Sequence, residues 1–106
     1  MKTVAAIEIG TYTARLLIAR CSDKGPNIQP LRKKRIYTNL GESYAPSEEP
    51  FLSGRAAKGT IRVLSEFAGM IEEHDAHWVR AVATGVFREA RNRDALVSRI
   101  GEETGI

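Results

Sequence analysis

Two apolar runs separated by a short polar turn open the chain. Residues Thr3–Ile9 are apolar and partly β-branched, and a second apolar run extends from Ala14 to Cys21. The turn between them, Gly10–Thr13, begins with a glycine and carries two threonines. A short polar turn between two β-prone runs predicts an antiparallel hairpin whose strands are mostly buried.

A third strand is predicted from Ile28 to Thr38, after the turn residues Asp23–Asn27. Pro30 has no backbone N–H to donate, which places this strand at a sheet edge or a bulge. Lys33–Arg35 also suit an exposed edge, because charged side chains discourage pairing with another chain. The sheet therefore begins as an antiparallel meander of three strands.

The spacing of apolar residues then changes to that of a helix. After a long loop, Asn39–Leu52, Ser53 is a plausible N-cap for a helix that ends near His74. Positions three and four apart share one helical face. The predicted buried face consists of Ala57, Ile61, Leu64, Ala68 and Ile71.

A fourth strand and further helical segments complete the pattern. Trp78–Thr84 is a near-continuous apolar run, which predicts a strand covered on both faces, with Trp78 as a packing residue. A helical turn is expected at Phe87–Ala90. A last helix follows, with Asn92 as its cap and Gly105 as its C′ residue.

The order β-β-β-α-β-α predicts an α/β fold with a mixed sheet, its helices packed against it. The fourth strand follows a crossover helix, so it should join the sheet parallel to an earlier strand. The 106 residues, 42% hydrophobic and 27% charged, suit a single globular domain over 1–106. Apolar runs are too short to span a bilayer, and the single Cys21 fits a reducing cytoplasm.

Charge permits an anionic partner without requiring one. The formal net charge is +3, and most of the excess comes from Arg32–Arg35. One possible function is therefore a small module that binds RNA through this basic edge strand. Tyr37 is the only aromatic residue in that strand, and single-strand readers need an aromatic platform. The pattern thus argues against nucleic acid as the partner.

The hairpin turn carries the most informative chemistry. Backbone N–H groups of a glycine turn, with the hydroxyls of Thr11 and Thr13, can bind phosphate oxygens. Arg15 can add a bidentate contact, and Glu8 at the strand end can hold Mg²⁺ directly or through water. The alternative is an ordinary hairpin whose glutamate is simply solvated.

His74 and His77 lie three residues apart and could suggest a metal site. A zinc site needs three or four ligands, and the surrounding sequence supplies no others. These histidines are therefore interpreted as surface residues.

The segment Glu8–Ala19 resembles the opening of the exopolyphosphatase/guanosine pentaphosphate phosphatase (Ppx/GppA) family. That family begins with an apolar strand, Asp-x-Gly-[Ser/Thr]-x-[Ser/Thr], and an Arg-Leu second strand. Further matches follow in the same order: Leu40-Gly41-Glu42, Leu52-Ser53, Arg80-Ala81-Val82-Ala83-Thr84, Arg88-Glu89-Ala90, Asn92 and Glu102-Glu103-Thr104-Gly105-Ile106.

The resemblance implies a partial ribonuclease H-like lobe of the actin-like ATPase (sugar kinase) superfamily. It implies hydrolysis of terminal phosphoanhydrides in inorganic polyphosphate or guanosine pentaphosphate (pppGpp), with Mg²⁺ as cofactor. By match, Gly10, Thr11, Tyr12 and Thr13 form the first phosphate loop, and Arg15 reaches a substrate phosphate. A sugar or carboxylate kinase lobe is disfavoured, because the matches after residue 40 follow the phosphatase family.

The resemblance to the family also implies roles for two further positions. Glu8 occupies the acidic, cation-linked position, where the family usually has Asp. Arg88 lies near the cleft of such folds, where a phosphate contact and a structural salt bridge are both open. Tyr12 stands where a small polar residue is common, so the loop is expected to be bulkier.

The resemblance also implies that half of the site is elsewhere. The catalytic glutamate and the second Gly-rich phosphate loop of the family correspond to positions beyond residue 106. We therefore expect the chain to be an N-terminal lobe that works with the C-terminal part of the same enzyme. Alone, it is expected to be catalytically inactive.

Overall fold

The computed structural model describes residues 1–25, 27–43 and 51–106. Part of the expected loop, residues 44–50, lies outside the described residues. The elements in chain order are β1 (Lys2–Ile9), β2 (Thr13–Cys21), β3 (Ile28–Tyr37), a 3₁₀ helix (Leu40–Ser43), α1 (Gly54–Glu73), β4 (Trp78–Ala83), α2 (Gly85–Glu89) and α3 (Arg93–Thr104).

The four strands form one sheet in the order β3-β2-β1-β4. The β1–β2 and β2–β3 pairs are antiparallel, and β4 joins β1 in parallel. The predicted mixed α/β sheet is thus confirmed. The 3₁₀ helix is a correction, since Leu40–Ser43 belonged to the predicted loop.

One face of the sheet carries the hydrophobic core. Side chains alternate along a strand, and the odd-numbered residues Ala5, Ile7 and Ile9 of β1 are at most 4% exposed. Their neighbours in β2, from Ala14 to Ile18, are buried on the same side. Helix α1 covers this face, and α3 packs Leu96 and Ile100 into the same core. We call the opposite side of the sheet the open face.

The buried stripe of α1 differs from the predicted one. Ala57, Leu64 and Ile71 are buried as expected, but Ile61 and Ala68 are only half-buried. The other buried positions are Thr60, Val63 and Phe67. The helix is therefore rotated slightly from the predicted face, because Phe67 supplies the largest apolar surface. The hydroxyl of Thr60 donates to the carbonyl of Ala56 at 2.9 Å, which satisfies this polar group in the core.

Asn92 stands at the predicted cap position of α3, but its side chain serves another segment. Its Nδ2 donates to the carbonyl of Leu52 at 2.8 Å, and its Oδ1 accepts from the Leu52 N–H at 2.9 Å. No side-chain hydrogen bond caps α3 itself. Asn92 therefore ties the residue before the N-cap of α1 to the beginning of α3.

The expectation that β4 is covered on both faces is wrong for this chain. β4 is one of the two edge strands of the sheet, and its residues Val82 and Trp78 are 58% and 52% exposed. Trp78 therefore lies outside the core. Its ring packs against two cations instead, 5.7 Å from Lys2 Nζ and 5.9 Å from Arg80 Cζ. Among the described residues, no helix is both long and apolar enough to cross a membrane.

Substitutions in α1 distinguish the observed stripe from the predicted one. Phe67→Ala removes a fully buried ring and should lower the free energy of unfolding by about 3–5 kcal/mol. Ile61→Ala removes a half-buried side chain from the same helix and should cost clearly less. Urea unfolding of both variants measures the difference. A larger loss for Ile61→Ala would show that α1 presents the other face to the sheet.

Candidate functional site

The site forms where two parallel strands end side by side. Ile9 at the end of β1 pairs with Ala83 at the end of β4, and the N–H of Thr84 donates to the carbonyl of Ile9 at 2.9 Å. Two connections therefore meet at this edge. One is the hairpin turn, Gly10–Thr13, and the other is the β4–α2 segment, Thr84–Val86. Carboxyl ends of neighbouring parallel strands are the usual place for ligands in α/β sheets.

Backbone hydrogen bonds hold the hairpin turn by its carbonyl groups. The carbonyl of Tyr12 accepts from the N–H groups of Thr38 and Asn39, at 2.8 and 2.9 Å. The carbonyl of Thr11 accepts from the N–H of Gly41 at 3.1 Å, and the N–H of Gly10 donates to Thr13 at 2.9 Å. The 3₁₀ helix that begins at Leu40 is thus part of the support for this turn.

The N–H groups of the same turn are left for another acceptor. Within the described part of the chain, those of Thr11 and Tyr12 have no hydrogen-bond partner. Adjacent unpaired N–H groups in a turn are the donors from which small anion-binding nests are built. The turn therefore has two N–H donors available to an oxyanion.

Gly85 brings the β4–α2 segment against Thr11. Its φ is +60°, and a Cβ placed there would lie 2.1 Å from Thr11 Oγ1. The N–H of Val86 donates to that same hydroxyl at 3.4 Å, which makes this a long contact. Because only glycine combines this φ with this close approach, Gly85 fixes the spacing between the two connections.

A carboxylate and a hydroxyl flank the glycine of the turn. A Cβ added to Gly10 would lie 3.8 Å from Thr84 Oγ1 and 3.9 Å from Glu8 Oε1. Glu8 is exposed, and within the described residues its carboxylate has no hydrogen bond or ion pair. Glu8 is thus available as the predicted metal ligand, with the Thr84 hydroxyl as a second hard oxygen nearby.

The oxygens of Glu8 and Thr84 could hold Mg²⁺ only together with further ligands. Among the described residues, no three His, Cys, Asp or Glu side chains group closely enough to hold a metal ion by themselves. Mg²⁺ commonly takes one or two carboxylates and completes its shell with waters and substrate phosphates. The single carboxylate of Glu8 is consistent with a Mg²⁺ site that is completed by waters and substrate phosphates.

The two arginines predicted for the site lie in different elements. Arg15 is in β2 on the open face, with Glu8 and Arg35 as its direct cross-strand neighbours. Arg88 is in α2, and its exposed guanidinium forms no ion pair within the described residues. Its backbone carbonyl accepts a hydrogen bond from the Arg93 side chain. The salt-bridge role left open for Arg88 is therefore not observed in this part of the chain.

The basic strand does not form one patch. Arg35 and Lys33 pair with Arg15 and Leu17 on the open face, whereas Arg32 and Lys34 alternate to the other side. A binding site that requires all four side chains of Arg32–Arg35 on one surface is incompatible with this sheet.

Thr84 and Gly85 were missed as site residues. Their sequence signal is a threonine and a glycine directly after an apolar strand that is expected to be parallel to the first. The side chain of Tyr12 is 62% exposed beside Gly41.

Comparison with known proteins identifies the family. The model of the Ppx/GppA phosphatase family matches residues 17–106. The Ppx/GppA phosphatase of Aquifex aeolicus superposes with a TM-score of 0.85 at 31% identity, covering 100% of this chain and 34% of that one. An exopolyphosphatase from Cytophaga hutchinsonii gives a TM-score of 0.89 at 25% identity, over 99% of this chain and 32% of that one. This chain belongs to the Ppx/GppA phosphatase family.

Curated relatives extend the match across the hairpin turn. A bifunctional 3-dehydroquinate synthase/phosphatase of Fusobacterium nucleatum is 30% identical over 96% of this chain, which spans 16% of that protein. Exopolyphosphatase 1 of Mycobacterium leprae is 26% identical over 97% of this chain, which spans 30% of that protein. The chain thus corresponds to the N-terminal portion of its exopolyphosphatase relatives, and it spans less than a third of their length.

The contact between Gly85 and Thr11 can be tested by unfolding. Gly85→Ala should lower stability by about 1–3 kcal/mol, because alanine disfavours this φ and its Cβ collides with Thr11. Adding Thr11→Ala removes the colliding hydroxyl and should recover part of the loss. Gly59→Ala is the control, since nothing lies within 4 Å of that position. Equal stabilities for Gly85→Ala and Gly59→Ala would contradict the close approach.

Proposed function

We propose that this chain is the N-terminal phosphate-binding lobe of a phosphoanhydride hydrolase that releases terminal phosphate from polyphosphate or pppGpp. The observation that carries the proposal is the pair of N–H groups at Thr11 and Tyr12, which have no partner among the described residues, in a turn whose Thr11 and Tyr12 carbonyls accept backbone hydrogen bonds. Family membership and the names of the exopolyphosphatase relatives support the substrate class.

In this proposal, each described group has a separate task. The N–H groups of the hairpin turn bind oxygens of the terminal phosphate, and the guanidinium groups of Arg15 and Arg88 bind further oxygens of the substrate. Donors fixed before the substrate arrives stabilise developing negative charge without reorganising. Glu8 would hold Mg²⁺ here, and the ion would supply further charge neutralisation when bound.

The residues that activate water belong to the remainder of the enzyme in this proposal. Residues 1–106 then form a single domain, and a C-terminal part like that of the longer exopolyphosphatase relatives is its partner across the phosphate cleft. The chain alone is then expected to bind phosphate and not to hydrolyse it. The half-buried free thiol of Cys21 is consistent with the cytoplasmic location proposed for the enzyme.

A titration followed by ¹⁵N NMR tests the binding role directly. Tripolyphosphate should shift the amide signals of Thr11, Tyr12 and Gly85 first, and Mg²⁺ should strengthen binding. Arg88→Gln should weaken the affinity by about tenfold, since a charge-assisted hydrogen bond contributes roughly 1.5–3 kcal/mol.

The control removes an equal charge at the other end of the sheet. Arg20 is exposed and pairs with Thr3, near the start of β1, so Arg20→Gln should leave the affinity unchanged. Equal losses for Arg88→Gln and Arg20→Gln, or shifts that avoid residues 10–13, would refute the assignment.

A further inference from the structure

One face of α1 is exposed along the whole helix and takes no part in the proposed phosphate site. Positions three, four and seven residues apart share one face of a helix, and such positions line the side opposite the buried stripe. We call this surface the outer face of α1. Its charged residues are all exposed, namely Arg55, Lys58, Arg62, Glu66, Glu72 and Glu73.

The charges of the outer face are segregated along the helix. The cations lie in the N-terminal half and the acids lie in the C-terminal half. The first turn of α1 contains no acidic residue, and the last turn contains no basic one. This order opposes the helix dipole, because the N-terminal end of a helix carries partial positive charge and favours acids. The distribution does not stabilise α1, so it suits a contact with another molecule.

These charges are not neutralised within the described part of the chain, where none of them forms an ion pair. Arg62 and Glu66 are four residues apart, but the cation precedes the acid, which is the less favourable order on a helix. A groove of about 940 Å³ borders the basic half, and none of its described lining residues is acidic. The basic half therefore has the charge and the space to receive acidic side chains from another molecule.

The outer face is complementary to a second copy of itself. Two α1 helices can lie antiparallel about a two-fold axis midway between Arg62 and Glu66, so that positions at similar distances from this midpoint meet. Because the axis is two-fold, each contact across the seam occurs twice. The residues that meet are then oppositely charged in every case: Arg62 with Glu66, Arg55 with Glu73, and Lys58 with Glu72 of the second copy.

Two glycines leave room for a second helix on this face. Gly59 and Gly69 lie on either side of the midpoint at equal distance, and a Cβ built on either one meets no atom within 4 Å. Neither has a positive φ, so the backbone of α1 does not require glycine there. Glycine inside a helix weakens it relative to alanine. Close packing of a second helix gives these two positions a use, because the distance between helix axes depends on the side chains at the contact.

We propose that two copies of this chain associate through the outer faces of their α1 helices, arranged antiparallel. Between Arg55 and Glu73 the seam is about 27 Å long, at about 1.5 Å per residue. A parallel arrangement would bring like charges together, so the charge order selects the antiparallel one. The contact is narrow and polar, and the association should therefore be weak and decrease as salt is added. This surface is separate from the phosphate site and goes beyond the proposed function.

Two charge-reversal variants test the pairing. Arg55→Glu/Arg62→Glu and Glu66→Arg/Glu73→Arg each give the outer face predominantly one sign of charge. Alone, each variant should self-associate about tenfold more weakly than the unaltered chain, because attractive pairs become repulsive. An equimolar mixture of the two restores opposite charges across the seam and should associate at least as tightly as the unaltered chain. Sedimentation velocity over a concentration series measures each sample.

The control reverses two charges on the other side of the sheet. Lys33→Glu/Arg35→Glu alters the open face, and its self-association should match that of the unaltered chain. Added salt should weaken association of the unaltered chain, which tests the pairing without any substitution. An unaltered chain that stays monomeric, or a mixture no tighter than its two components, would show that the outer face binds no second copy. If the control weakens association as much as the outer-face variants do, the interface lies elsewhere and the inference is wrong.

Discussion

The parallel pairing of β1 with β4 is the constraint on which the rest of the site depends. It places Ile9 beside Ala83, so that the residues following each strand must share one edge of the sheet. The hydrogen bond from Thr84 to Ile9 then continues the pairing by one residue beyond β4. Without this register, Gly85 would not lie against Thr11, and the hairpin turn would lose its contact with the β4–α2 segment.

A second layer of contacts makes the turn rigid from its other side. Segment Thr38–Gly41 donates three backbone N–H groups to the carbonyls of Thr11 and Tyr12. Because each peptide unit is planar, holding the Thr11 carbonyl also fixes the direction of the Tyr12 N–H. In the proposed phosphate site this donor is therefore positioned before an anion binds, which is the condition for efficient charge stabilisation.

The sequence predicted the strands, the antiparallel meander of the first three and the hairpin turn, because these follow from local periodicity and turn chemistry. It predicted a parallel fourth strand but not that β4 pairs with β1. The predictions were wrong or incomplete where contacts with neighbouring elements determine the structure. The buried face of α1 depends on how Phe67 fits the sheet, and the role of Asn92 depends on a residue forty positions earlier, Leu52. Gly85 was overlooked because its close approach to Thr11 depends on the β1–β4 register. Val82 and Trp78 are exposed because β4 is an edge strand among the described elements, and strand composition does not report position in a sheet.

The most direct measurement is a crystal structure of this chain with tripolyphosphate and Mg²⁺. The account predicts a phosphate group whose oxygens accept hydrogen bonds from the N–H groups of Thr11 and Tyr12. It also predicts that the turn carbonyls keep their bonds to Thr38, Asn39 and Gly41. A phosphate bound elsewhere, or a turn that must rearrange before it binds, would contradict the claim that the β1–β4 edge is a preformed phosphate site.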